Sequence, residues 1–411
     1  MKRRVVVTGI GVIAPNGIGK EKFWEALKNG KSGIKKITLF DTTDLPVKIA
    51  GEVSDFKPED YIEDRKKIRR MARFSQFAVA CAKIAIEDAC LDLKSVDLKN
   101  MLIVLGVSTN AMDVFEKEYL NFLKNKHRFS NPYFIASGTP NIGTGEILSE
   151  LGIETSISTI STGCASGLDS VGQGYKEIKE GRFDIVIAGG AEASITPLLI
   201  AGLSAAKIMS LRNDEPERAS RPFDRLRDGG VLSEGAGFVI MEELTFALLR
   251  KAHIYCEIIG YGESGEKEKN IPGKGIKLAM NKCIEDAGIF PEEIDFISAH
   301  APSDPFLDYY ETMAIKNVFG EYAYRIPVTS IKSMIGNPFG AAGILQLIGS
   351  IMAFEKGIIS PTINYEYPDP ECDLDYTPNV YRRFEANYCL INSHGFGGSN
   401  SSLLIKKYED K

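Results

Sequence analysis

Short apolar runs alternate with segments of helical period along all 411 residues. This alternation is the pattern of an α/β protein and sets the chain apart from an all-helical bundle or an all-β barrel. Strands are predicted at 5–8, 102–107, 185–188, 238–241, 256–259, 296–298, 388–392 and 402–405. Helices are predicted at 21–29, 75–90, 164–180, 276–287, 307–318 and 340–355. The length exceeds one ordinary domain, so two domains or one large double unit is expected. No Pro-rich spacer divides the chain. A break near 250–255 would give unequal halves, 1–252 and 253–411, and with no internal repeat visible any structural duplication is hidden. The polar stretch GESGEKEKNIPGK at 262–274 reads as an exposed loop.

Charge narrows the function. With 49 basic and 55 acidic side chains the net charge is −6, which argues against a dedicated nucleic-acid binder. The most apolar helical segment, 340–354, carries Gln346 and falls short of the ~18 apolar residues a membrane span needs. The opening MKRRVVVTGIG has the charge order of a signal peptide, but its apolar run is short and Pro15 and Asn16 follow, so a buried first strand fits better. Seven cysteines without a C-x-x-C pair give neither a disulfide framework nor a zinc site and point to a reducing cytoplasm. Five of them (81, 90, 256, 283 and 389) read as inert core thiols, and Cys372 in an acidic loop has no evident role.

Cys164 differs. The segment STISTGCASGLD at 158–169 runs from a β-branched strand through small residues into a helix. A helix N-terminus favours a thiolate, and small neighbours let a carbonyl approach, so Cys164 is either a nucleophile or a structural thiol beside a tight turn. Of the four histidines, His127 is expected to be solvated and His253 to lie at a helix end, whereas His300 follows the apolar strand DFISA. Lys332 sits in the apolar, Gly-studded SIKSMIGNPFGAAG at 330–343 and must find acceptors if buried. Asn337, in the same stretch, either serves the site or caps a helix. NSHGFGGSN at 392–400 is a glycine-rich turn between two strands, whose N–H groups suit an oxyanion hole but also a plain hairpin.

Together these segments resemble the β-ketoacyl-acyl carrier protein synthases of the elongating class. VVVTGIGV, STGCASGLDSVG, SRPFDRLRDGGVLSEGAG at 220–237, SAH at 298–300, SIKSMIGNPFGAAG and HGFGGSN occur in the family's order across nearly the whole chain. TGC-x-SGLDSVG, SIKSM and DPECDLDY at 369–376 are closer still to ketosynthase subunits of type II polyketide synthases. The resemblance implies a thiolase fold, layered αβαβα with two similar halves, in a homodimer or a heterodimer with a related subunit. It implies decarboxylative Claisen condensation between malonyl-acyl carrier protein and a cysteine-bound acyl chain, with no metal or cofactor. Cys164 then takes the nucleophile's place, His300 that of the first catalytic histidine, and Lys332 that of the structural lysine. Backbone N–H groups of Cys164 and Phe396 match the oxyanion hole, and the Phe396 ring matches a gate. Lys66, Arg69 and Arg70, in the basic run RKKIRRMAR at 65–73, match carrier-protein contacts; such a run is otherwise a solvated helix start.

The chain also departs from that pattern. Asn337 stands where the family has a second catalytic histidine, and Ala-Pro-Ser-Asp304 replaces the sequence after the first. Gln346 replaces the lysine's usual carboxylate, His394 stands where an aromatic is usual, and both are candidate pocket residues. The rim segment after the fifth strand is shortened. Three functions remain open on these residues: condensation through Cys164, His300 and Asn337; acyl transfer or thioester hydrolysis without condensation; and a non-catalytic partner subunit, against which the presence of Cys164 counts.

Overall fold

The computed structural model describes residues 3–125, 131–266 and 273–409. Its principal strands are β1 (Val5–Ala14), β2 (Met101–Gly106), β3 (Ser156–Ile160), β4 (Ile185–Glu192), β5 (Gly235–Glu243), β6 (Cys256–Gly265), β7 (Phe296–Ser298), β8 (Val328–Thr329), β9 (Tyr388–His394) and β10 (Ser399–Lys407). The helices that matter for the site are α1 (Lys20–Lys28), α2 (Arg73–Asp88), α3 (Met112–Lys124), α4 (Ile142–Leu151), α5 (Ser166–Lys179), α6 (Pro197–Ala205), α7 (Lys274–Ala287), α8 (Pro305–Phe319) and α9 (Ala342–Lys356).

The strands lie in the order β8-β7-β9-β10-β6-β1-β5-β4-β2-β3. Numbered within each half, both halves read 3-2-4-5-1 outward-in, and they meet where β1 pairs antiparallel with β6, Val5 opposite Ile258. The duplication that sequence similarity hides is therefore explicit in the topology.

Strand periodicity explains the layers. Leu102, Val104, Val186, Ala188, Val239 and Met241 point to one core, while Ile103, Leu105, Ile185, Ile187, Phe238 and Ile240 point to another. Alternate side chains of one strand feed opposite faces, so these strands read as continuous apolar runs because both faces are covered. The same split divides Cys389 and Ile391 from Leu390, and Leu403 and Ile405 from Leu404. The shared core holds the apolar faces of α5 (Leu168, Val171, Tyr175) and α9 (Ile344, Leu347, Ile351). Outside it, Phe74, Phe77 and Ile147 of α2 and α4 cover the first half, and Ile276, Met280 and Ile315 of α7 and α8 cover the second. The result is the expected αβαβα layering.

Close approach sets some sequence choices. A Cβ at Gly11 would run into the carbonyl of Cys81 on α2, so the GIG of the first strand lets helix and sheet touch.

Two expectations need correction. Residues 262–265 are not loop but the end of β6, paired with β10 with Gly265 opposite Ser399; α7 already begins at Lys274, and 267–272 lie outside the described residues, as does His127. Cys90 is not a core thiol but exposed, just past α2. Cys372 is buried in the second half's core despite its acidic neighbours. His253 lies beyond the C-cap of Leu244–Leu249, with Nε2 3.8 Å from Glu355. No described helix is long and apolar enough to cross a membrane.

Candidate active site

Cys164 occupies the corner between β3 and α5, at 3% exposure. The corner is held from the other half of the molecule: Ser393 Oγ, on β9, donates to the Cys164 carbonyl at 2.9 Å. Gly163 has φ of 65°, a conformation glycine adopts without cost. The glycine turn after β9 fits directly on this corner. A Cβ on Gly395 would strike the Thr162 carbonyl, and one on Gly163 would come within 3.0 Å of the Phe396 nitrogen. The absence of both side chains brings the backbone N–H groups of Cys164 and Phe396 to one junction. The Phe396 ring is 58% exposed and meets Phe339 edge-on, centroids 6.0 Å apart.

The helix-start position was expected to favour a thiolate. Burial outweighs that influence and pushes the Cys164 thiol up to about 11, although the Asn337 amide and the Lys332 charge pull against it. Asn337 Nδ2 lies 3.8 Å from Cys164 Sγ. It caps no helix: the short turn Phe339–Ala341 and α9 have Pro338 and Ala341 at their N-caps, with no side-chain cap on either. Its backbone is fixed by the first half, donating to the Val231 carbonyl at 2.8 Å and accepting from Ser233 N at 3.2 Å.

His300 is buried just past β7. Burial, with the nearby Lys332 and His394, holds its imidazole well below the usual range, so at neutral pH it is an uncharged ring able to accept a proton. Lys332 is also buried and finds a neutral partner, Gln346 Oε1 at 2.7 Å. Burial lowers it to about 8, against the attraction of Glu311. Gln346 spends its amide protons on the carbonyls of Ser298, Ala299 and Asn392. It is thus a buried tie between strand ends and, contrary to expectation, does not line the cavity; neither does Lys332. Ser220 Oγ donates to the Lys332 carbonyl at 2.7 Å, which ties the 220–237 motif to this segment.

A cavity of about 720 Å³ opens on Cys164, His300, Asn337 and His394, with Phe339 and Phe396 at its wall. The sequence reading overlooked Glu311 on α8. Its carboxylate accepts from His300 N at 3.0 Å, Ala301 N at 2.8 Å and Asn392 Nδ2 at 3.1 Å. Burial alone would push Glu311 up, but His394 and these backbone donors hold it below its ordinary value. A signal was present, since Glu311 falls on the apolar stripe with Leu307, Ala314 and Ile315.

The basic run is split by the structure. Lys67 turns inward to Glu146 and Glu150 at 3.2 and 3.3 Å, while Lys66, Arg69 and Arg70 are exposed. Arg70 lies 4.1 Å over the Tyr133 ring.

Family models for the N-terminal and C-terminal domains of beta-ketoacyl synthase match residues 2–247 and 255–366. The chain belongs to the beta-ketoacyl synthase family. This synthase is 41% identical to 3-oxoacyl-[acyl-carrier-protein] synthase 2 of Coxiella burnetii, over 100% of both chains. It is 40% identical to the synthase 2 of Staphylococcus aureus, over 99% of each. Among solved structures it is similar to the ishigamide ketosynthase/chain length factor, with TM-score 0.93 and 33% identity over 100% of both chains. It is similar too to a type II PKS ketosynthase solved with its acyl-carrier protein, with TM-score 0.91 and 33% identity over 99% of this chain and 100% of that one. The fold is that of its ketosynthase neighbours, the thiolase fold.

Proposed function

We propose that this synthase extends an acyl chain by decarboxylative condensation with malonyl-acyl carrier protein, through Cys164, His300 and Asn337. The observation that carries the reading is the Asn337 amide directed at the Cys164 sulfur in a cavity that His300 also lines. His300, uncharged, takes the thiol proton, and the thiolate attacks the acyl thioester, whose carrier thiolate leaves. The N–H groups of Cys164 and Phe396 meet the oxyanion. Malonyl then loses CO2: the bond from Cα to the carboxylate breaks and its electron pair forms an enolate. The enolate attacks the acyl carbonyl, a C–C bond forms, and Cys164 departs as thiolate and recovers its proton from His300. Mass spectrometry of the protein with acyl- and malonyl-carrier protein tests the scheme by reporting Cys164 acylation and extended product. Acylation without product would favour acyl transfer or hydrolysis on the same fold.

Acyl carrier protein is the partner in this reading, steered by Lys66, Arg69 and Arg70 on a net-negative enzyme. Reversing all three charges should weaken binding at least tenfold, and wild-type binding should weaken with added salt; titration calorimetry with the carrier checks both. Unchanged affinity would leave the run a solvated face.

A homodimer, or a heterodimer with a related subunit, fits the open edge of β3, where Ile157 is exposed, and the exposed Tyr119, Leu120 and Ile135. The repeated strand order supports dividing the chain into 1–252 and 253–411. A reducing cytoplasm fits seven unpaired thiols.

A further inference from the structure

His394 ends β9, which pairs in parallel with β7, Ile391 opposite Ser298. Two residues further along, His300 and Ser393 come level, with His394 beside them. The two imidazole centroids lie 5.1 Å apart, close enough for one oxygen to take a hydrogen bond from each ring. His394 is 5% exposed and lines the same cavity as Cys164, His300 and Asn337. Its Nδ1 has no hydrogen-bond partner, and its Nε2 faces only the Glu311 carboxylate, at 3.5 Å. Packing alone does not account for this, because a buried ring nitrogen without a partner is unfavourable where a phenyl would fill the same space.

The surroundings orient the ring. Glu311 Oε1 lies 3.5 Å from His394 Nε2, and that carboxylate is itself fixed by the His300 and Ala301 N–H groups and the Asn392 amide. One edge of the imidazole thus faces an immobile anion, and its other nitrogen is left for a substrate.

We propose that His394 is a second catalytic imidazole, which joins His300 and the Asn337 amide in holding the malonyl thioester oxygen. The assignment rests on the condensing reading above. The Nε2 edge is held against Glu311, and the N–H of the opposite edge meets that oxygen. When the Cα–carboxylate bond breaks, CO2 leaves and the electron pair places negative charge on the oxygen, where the donor is needed. When the new C–C bond forms, the charge leaves the oxygen, and His394 ends with the proton it began with.

The test measures CO2 release from labelled malonyl-carrier protein beside Cys164 acylation, in the full-length protein. His394→Phe keeps the ring volume and should lower CO2 release at least tenfold, with acylation within about twofold of the parent. His394→Gln keeps a hydrogen-bonding side chain but no imidazole, which separates packing from chemistry. A fall shared by both variants supports the proposal, and parent-like CO2 release by either overturns it. Adding Asn337→His to His394→Phe returns an imidazole to the same cavity, and recovery of CO2 release supports the proposal further. A parent that acylates Cys164 but releases no CO2 overturns the condensing reading and this proposal together. An active parent matched by His394→Phe overturns the proposal alone.

Discussion

Replacing Cys164 with alanine is expected to abolish the acyl-enzyme and lower condensation more than about a thousandfold, because none of the other six cysteines stands at the mouth of the cavity. The choice of probe matters. Cys90 is exposed and will compete for a general alkylating reagent, so acyl transfer from carrier protein, mapped by peptide mass spectrometry, is the discriminating measurement. Acylation of another cysteine in the folded protein would remove Cys164 from its role. The resting thiol, at about 11, is protonated at neutral pH. Its alkylation rate should therefore climb about tenfold per pH unit on the acid side of that value, a slope that an exposed, unshifted thiol would lose earlier.

Asn337→Ala should reduce malonyl decarboxylation about a hundredfold, the usual scale for one lost donor at a developing charge. Acylation of Cys164 should change less than about tenfold, because the backbone N–H pair and His300 serve that step. The Asn337 amide also helps lower the thiol, so the variant's alkylation profile should move to higher pH. CO2 release and alkylation are independent readouts, and a variant equal to the parent in both would make Asn337 a spectator.

The sequence was most informative where backbone geometry demands particular residues. The strand and helix periodicities foretold the covered sheet, and the small residues at 161–167 and 395–398 foretold a corner meeting a glycine turn. Long-range polar pairing was less legible. Lys332 announced its need for an acceptor, but nothing local to it pointed to Gln346, 14 positions on. Glu311 connects His300, Asn392 and His394 across two strands and a helix, contacts that no sequence window contains. The thiol was misjudged for a related reason: a helix start is visible in sequence, whereas complete enclosure depends on elements more than a hundred residues away.

The matching strand order has a further consequence. In each half, the third strand leads through a corner into a central helix: β3 through Cys164 into α5, and β8 through Asn337 into α9. A Cβ on Gly167, in the first turn of α5, would collide with the Gly340 carbonyl just ahead of α9, so the two helix starts touch at a shared axis. Equivalent places in the two halves thus face each other with unlike chemistry, a nucleophile in one and an amide in the other. Neither half holds a complete reaction centre by itself. Such an arrangement divides the labour, so that the side chain at one corner can be changed without moving the backbone of the corner that carries the covalent step.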